Sequence, residues 1–321
     1  MLQRYLIVWL LLSSLVAAIW PFPFDPFVAT KPFLGFIVAL TMLCIGSLLP
    51  ADEVRAVSRK WPLVAWGTFV QYTSMPFLAW AMASLFGLPE DLRFGLALAG
   101  CVPGAMASNV LTLAAKGNVS YSVGLTSLAT LLSPLLVPVT LRLILGESIA
   151  KEKLVGAAID LSWQVVLPVM LGFTLSQAVA SWRSLSKKFA GHMANLAILW
   201  IIAVVIALNR SRLMQANGLL IPALLGLNLL GYTAGWIGAR LMNLPRGMRV
   251  ALILEVGMQN AGVGASIAVG MFPNRPQIAL PCAAYAFGCM LTGTALAQVF
   301  AHFAPPDETT AADQPDAVSE L

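Results

Sequence analysis

The chain has 321 residues, of which 59% are hydrophobic and 10% charged, with a net charge of +5 and a mean hydropathy of +0.83. A soluble domain carries about 25% charged residues, so this composition excludes both a disordered chain and an ordinary water-soluble fold. The apolar residues come in blocks long enough to cross a ~30 Å hydrocarbon core as helices, so the expected class is an all-α, polytopic membrane protein.

Ten hydrophobic segments follow one another at roughly 4–20, 29–49, 61–87, 92–115, 119–144, 154–181, 190–209, 216–243, 246–271 and 277–302. The first carries Arg4, an apolar run and Ala17-Ala18, a pattern it shares with cleaved signal peptides. The Pro-Phe-Pro-Phe stretch after it reads as an interfacial turn, so a retained helix is expected. Trp20, Phe22, Phe24 and Trp61 sit at segment ends, as an aromatic belt would.

Gln71 lies in the middle of the third segment, where its amide needs partners. The fourth contains Pro103-Gly104, which removes a backbone donor and invites a break, and then Ser108-Asn109. The fifth adds Ser122 and Thr126, four residues apart and so on one helix face.

Residues 146–153 form a polar linker that divides the chain into two sets of five segments. An odd number makes a repeated half insert upside down, the plan of many secondary transporters. The expected organisation is a first repeat over 1–145, the linker, a second, inverted repeat over 154–302, and a disordered tail over 303–321. That tail holds five acids and no base. The rest of the chain has 19 basic residues against 9 acidic ones, set mostly in loops where they meet lipid headgroups rather than nucleic acid.

Asp160 lies two turns inside segment six, where a structural or solvated role is expected. Segment nine holds Glu255, about ten residues from each end and hence ~15 Å deep at ~1.5 Å per residue. An intramembrane carboxylate is costly and by default functional. Gln259, four residues on, would share its helix face, and Asn260 follows. The stretch Gly-Cys-Val-Pro-Gly-Ala-Met-Ala-Ser-Asn over 100–109 and the stretch Glu-Val-Gly-Met-Gln-Asn over 255–260 occupy corresponding segments of the two halves. Each puts glycine and a polar amide at mid-membrane; Gly257, Gly262 and Gly264 loosen the ninth segment or admit close approach of another backbone, and a broken helix at this depth is tolerated where it lines a buried cavity.

The donors in this group are carboxylate, amide, hydroxyl and carbonyl oxygens. Such a hard set suits an alkali cation better than zinc or copper. Na⁺ leads, with a proton on Glu255 as the competitor. Four cysteines without CxxC spacing read as packing residues. Two histidines near segment ends leave no metal site or nucleophile–base pair, so no enzyme is expected. Ten spans put both termini on one side. Eleven basic residues in the loops on that side, against eight opposite, favour termini in the cytoplasm for a multi-pass protein of a cell membrane.

Over residues 1–302 the chain resembles the bile acid:sodium symporter family. The resemblance is strongest in Pro-Gly-Ala-Met-Ala-Ser-Asn over 103–109, in the stretch from Gly117-Asn118 to Pro134, and in Glu-Val-Gly-Met-Gln-Asn over 255–260. It implies a panel domain of helices 1, 2, 6 and 7 and a core domain of helices 3–5 and 8–10, with broken helices 4 and 9 crossing. It implies two co-transported Na⁺ ions. One would be held by Ser108, Asn109, Ser122, Thr126 and Glu255; the other by Gln71, Glu255, Gln259 and the carbonyls of Val256 and Met258. The substrate anion would lie near Met106, Ala107 and Asn260.

Bile-acid-carrying members usually have Gly-Thr where this chain has Ala105-Met106, so a hydroxyl is missing from the substrate region. A smaller carboxylate such as pantoate is as consistent with the chain as a bile-acid-like anion. The implied activity is Na⁺-coupled symport of an organic anion by alternating access, by a single chain in the lipid bilayer. The alternative is a proton-coupled or uniport carrier with Glu255 as the proton site.

Overall fold

The computed structural model describes residues 6–20, 23–52, 61–213 and 218–304, and its regular elements are helices. Arg4, Phe22, Arg55, Arg59, Lys60 and the acidic tail from residue 305 lie outside the described residues. Helix α1 spans Leu6–Ile19, α2 Leu34–Leu48 and α3 Trp61–Leu85. Helices α4 (Glu90–Cys101) and α5 (Ala107–Ala114) are the two halves of the fourth segment. Helix α6 spans Val119–Leu145, α7 Lys151–Ala178, α8 Ala180–Leu208 and α9 Leu220–Leu241. Helices α10 (Arg246–Gly257) and α11 (Ala261–Met271) are the halves of the ninth segment, and α12 is Leu280–His302.

Among the described residues six helices are long and apolar enough to cross a membrane: Lys31–Leu48, Val119–Ser148, Lys151–Ala178, Ala180–Leu208, Leu220–Leu241 and Pro276–His302. The other expected segments differ for physical reasons. Segments four and nine are each split into two short helices. Helix α3 is 25 residues long but diluted by Thr68, Gln71, Thr73 and Ser74. Helix α8 begins about ten residues before the apolar run at 190, because its first turns expose Arg183, Lys187 and Lys188 to the polar side while the rest is buried or faces outward.

The outer surface is apolar. Leu143, Ile221, Phe36 and Ile159 are 60–77% exposed, as they are where lipid replaces water around a helical bundle. The helices sort by packing into two groups. Helices α1, α2, α7 and α8 pack on one another, and α3–α6, α9, α10 and α12 on one another; the groups meet where α6 packs on α7, and α11 lies between, against α2, α7 and α8 on one side and α4 and α12 on the other. At one end of the molecule the first group grips the segment after α11. Lys31 Nζ donates to the Pro273 carbonyl (3.0 Å) and Lys153 Nζ to the Met271 carbonyl (3.0 Å). Asn209 Nδ2 donates to the Pro276 carbonyl (3.1 Å). Inside α7 a π-turn at Ser162–Val166 presents the buried Gln164 to Ser266 of α11 (3.3 Å); single π-turns are frequent at functional sites. Asp160, one turn earlier, accepts from Trp163 Nε1 (3.0 Å), a partner that fits the structural role expected of it.

The break in the fourth segment has a local cause. Pro103 lacks an N–H and restricts the residue before it, so Val102 turns extended (φ −71°, ψ 158°) after the last helical bond of α4. In the ninth segment Met258 is extended (φ −117°, ψ 97°). The two unwound stretches cross and pair as a short antiparallel bridge between Gly104 and Gln259. The Ala105 N–H donates to the Met258 carbonyl (2.7 Å) and the Asn260 N–H to the Pro103 carbonyl (2.8 Å). In a bilayer each unmatched backbone group costs several kcal/mol, so each break supplies what the other lacks.

Candidate functional site

Glu255 lies in the last turn of α10 and is fully buried. Its Oε2 accepts from Ser108 Oγ (2.5 Å), in the first turn of α5, and from Thr126 Oγ1 (2.8 Å), on α6. Ser122 Oγ, one turn before Thr126, donates to Asn109 Oδ1 (2.7 Å), and Thr126 Oγ1 lies 3.2 Å from the same oxygen. Ser108, Asn109, Ser122, Thr126 and Glu255 are therefore one connected cluster, 9% exposed or less at each residue. Ser122 and Thr126 do share a face of α6. Thr112, passed over in the sequence, joins them through Ser122 (3.3 Å).

Glu255 Oε1, by contrast, is buried and has no hydrogen-bond partner among the described residues. A buried carboxylate is tolerated only when paired or neutralised, so this oxygen is where a cation or a proton belongs. Gly104 is what lets the other strand of the crossing approach it, since a Cβ there would overlap Glu255 Oε1.

Gln71 of α3 and Gln259 also meet. Gln71 Nε2 donates to Gln259 Oε1 (3.3 Å), and Gln259 Nε2 donates to the Val256 carbonyl (2.9 Å). Gln259 does not lie on the face of Glu255 as its four-residue spacing predicts. The helix ends at Gly257, so the 3.6-residue period stops before Gln259 is reached. Gln71, Val256 and Gln259 thus satisfy one another, and Met258 pairs with Ala105; a cation held by them would replace those bonds.

Beside the crossing is a narrow cavity with room for about one water molecule. Met106, Thr126, Ser127, Thr130 and Asn260 line one wall, and Met42 and Ile45 of α2, Leu49 just past its end and Val169 of α7 line the other. A second, equally narrow, shares Met42 and Asn260 with it. Of the three expected substrate residues, Met106 and Asn260 line a cavity; Ala107 lines neither. Ser127 and Thr130 were missed. Thr130 lies four residues beyond Thr126 and was visible as the next step of the same helical stripe. Asn260 Oδ1 caps α11 by accepting from the Val263 N–H (3.3 Å). The donors at the crossing are carboxylate, amide, hydroxyl and carbonyl oxygens; among the described residues no three His, Cys, Asp or Glu side chains cluster.

A profile described as the Sodium Bile acid symporter family matches residues 31–216. The chain belongs to that family. It is 30% identical over 292 residues to the sodium-dependent transporter YocS of Bacillus subtilis (strain 168), covering 90% of this chain and 88% of that one. It is 28% identical over 297 residues to a protein of Oryza sativa subsp. japonica named "Probable sodium/metabolite cotransporter BASS1, chloroplastic", covering 92% and 72%. It is 26% identical over 256 residues to the Sodium/bile acid cotransporter 4 of Mus musculus, covering 76% and 57%. As a member of the sodium bile acid symporter family the protein is a multi-pass membrane transporter and not an enzyme.

Proposed function

We propose that the protein is a Na⁺-coupled symporter of a small organic anion, built as two inverted five-helix repeats over 1–145 and 154–302 joined by 146–153. In this reading α1, α2, α7 and α8 form a panel and the remaining helices a core. A single chain does the work in a cell membrane with both termini cytoplasmic. The observation that carries it is the unpartnered Oε1 of Glu255 amid buried oxygen donors. Its relatives' names, a sodium-dependent transporter and sodium/metabolite cotransporters, point the same way.

One Na⁺ would take Ser108, Asn109, Ser122, Thr126 and Glu255 as ligands. The second would take Gln71, Glu255, Gln259 and the Val256 and Met258 carbonyls, after Gln259 turns its amide. Two ions and Glu255 sum to +1, which complements a monoanion. A tenfold Na⁺ gradient supplies ~1.4 kcal/mol per ion and a ~100 mV potential ~2.3 kcal/mol for the net charge moved. Together these give ~5 kcal/mol, enough for several-thousand-fold accumulation.

The anion would sit in the cavity beside Met106 and Asn260. Among the described residues no Lys or Arg lines that cavity, so its negative charge would face backbone N–H groups at the starts of α5 and α11. A bile-acid-like substrate would need the walls to part further than a smaller carboxylate such as pantoate. Alternating access finds support in the asymmetry of the two ends. Lys31, Lys153 and Asn209 tie the groups together near the end of α11. The cavity instead reaches Leu49, at the opposite end of α2, which is the cytoplasmic end in this orientation.

Thr126 both lines the cavity and bonds Glu255. Thr126→Val should therefore raise the half-saturating Na⁺ concentration and the substrate KM together. The expected size is about tenfold or more, from the about 1.5–3 kcal/mol of a hydrogen bond to a charged group. Initial rates over a grid of both concentrations measure it; a change in only one constant counts against the shared role.

The proposal is tested by uptake of radiolabelled carboxylates and sterol anions into proteoliposomes, with Na⁺ or choline outside. Uptake that follows Na⁺ and moves positive charge inward is expected. The second reading, a proton-coupled or uniport carrier, draws on the closed Gln71–Gln259–Val256 bonds and on the room for a proton at Oε1. Uptake indifferent to choline replacement selects it.

A further inference from the structure

We propose that Asn228, Tyr285 and Thr292 are positioning residues that clamp the Gly257 carbonyl and thereby fix the second cation site. The inference rests on the Na⁺-coupled reading and adds residues that touch neither the ion nor the substrate.

Helix α10 ends at Gly257, and the last carbonyls of a helix have no intrahelical partner. The Gly257 carbonyl is matched from outside the crossing by two donors, Asn228 Nδ2 of α9 (2.8 Å) and the Tyr285 hydroxyl of α12 (2.8 Å). Asn228 is itself held, because its Oδ1 accepts from Thr292 Oγ1 (2.6 Å). That bond fixes which end of the amide faces Gly257. Tyr232 closes the set. Its hydroxyl lies 3.0 Å from Thr292 Oγ1, and its ring packs so closely on Gly257 that a Cβ there would overlap it. Asn228 and Tyr285 are 1% exposed, so neither amide nor hydroxyl can turn to water.

The consequence runs along the backbone. Met258 is extended, and in extended chain successive carbonyls point to opposite sides. With the Gly257 carbonyl pinned toward α9 and α12, the Met258 carbonyl points the other way, toward Ala105 (2.7 Å). Gln259, next in the chain, is carried to Gln71. Release of the clamp lets the Gly257–Met258 peptide rotate, and with it the carbonyl and amide oxygens that form the second site. Groups that hold ligands without touching the ion typically govern its affinity by about 10–100-fold.

The test is Na⁺ titration of uptake in proteoliposomes for Asn228→Leu, Tyr285→Phe, Thr292→Val and Thr292→Ser, with the melting temperature of each in detergent. Asn228→Leu should raise the half-saturating Na⁺ concentration by about tenfold or more and bring the Hill coefficient from near two toward one, with substrate KM at saturating Na⁺ unchanged. Tyr285→Phe and Thr292→Val should move the same two quantities less, and Thr292→Ser, which keeps the hydroxyl, should restore the parent values. If Asn228→Leu does not insert, the Thr292 pair carries the comparison. Variants with a lowered melting temperature or maximal rate but an unchanged Na⁺ profile would make the cluster merely structural and overturn the proposal, as would four unchanged profiles. A parent protein whose uptake ignores Na⁺ overturns instead the coupling on which the proposal rests.

Discussion

Glu255→Gln should abolish Na⁺-driven uptake, by at least about 100-fold, yet leave the protein as heat-stable as the parent or more so in the absence of Na⁺. Removing one member of a buried ion pair costs about 3–5 kcal/mol, which sets the size of the loss once a cation has to bind. Without the cation the balance reverses. Oε2 is satisfied by Ser108 and Thr126, and the amide oxygen of the variant can accept the same two bonds. Oε1 has no partner, and a neutral group there is cheaper to bury than a carboxylate. Thermal unfolding in NaCl and in choline chloride checks both halves. The parent should gain stability from Na⁺, about 2.7 kcal/mol at a concentration 100 times its Kd, and the variant should gain nothing. A variant that keeps the Na⁺ shift would remove Glu255 from the site. One that melts far below the parent would make the carboxylate a structural group.

Gly104→Ala should cost about 1–3 kcal/mol of stability, the usual penalty for overfilling a packed site, and should eliminate transport. The backbone does not demand glycine here by conformation; positive φ among the described glycines occurs only at Gly87 and Gly146. The demand comes from space. A Cβ at 104 would overlap Glu255 Oε1 and crowd the carboxyl carbon behind it. The carboxylate would then be displaced from the hydroxyls of Ser108 and Thr126. Combining Gly104→Ala with Glu255→Ala separates the causes, because contacting residues are not additive. The double variant should be no less stable than Glu255→Ala alone, and equally inactive. Additive losses of stability would mean that the added methyl disturbs the bridge to Gln259 rather than the carboxylate.

These two residues also show how far the sequence alone reaches. Glu255 was legible because a carboxylate in the middle of an apolar run has few structural reasons to be there. The break at 103–104 was legible because proline removes a donor and constrains its neighbour whatever surrounds it. Ser122 and Thr126 were legible because both lie within one unbroken helix, where spacing fixes the face. The same rule failed for Gln259, since the helix stops at Gly257 and periodicity no longer carries across. It also gave no reason to single out Asn228, an isolated amide whose partners, Gly257, Tyr285 and Thr292, come from two other helices.

What the sequence determined by itself was therefore the solvent, the class and the chemistry. An apolar content of 59% makes lipid the surroundings, since no other solvent tolerates so much exposed hydrocarbon. Lipid then requires helices, since each must satisfy its own backbone. The few polar residues left inside name an oxygen-donor site. The tertiary structure decided which of those oxygens meet. Ser108, Thr126 and Glu255 come from three different helices, and only the crossing of two unwound segments brings them within hydrogen-bond distance. That crossing depends on backbone pairing between residues 103–105 and 258–260. A contact between distant parts of the chain is fixed by the mutual satisfaction of both partners, and neither stretch encodes it alone.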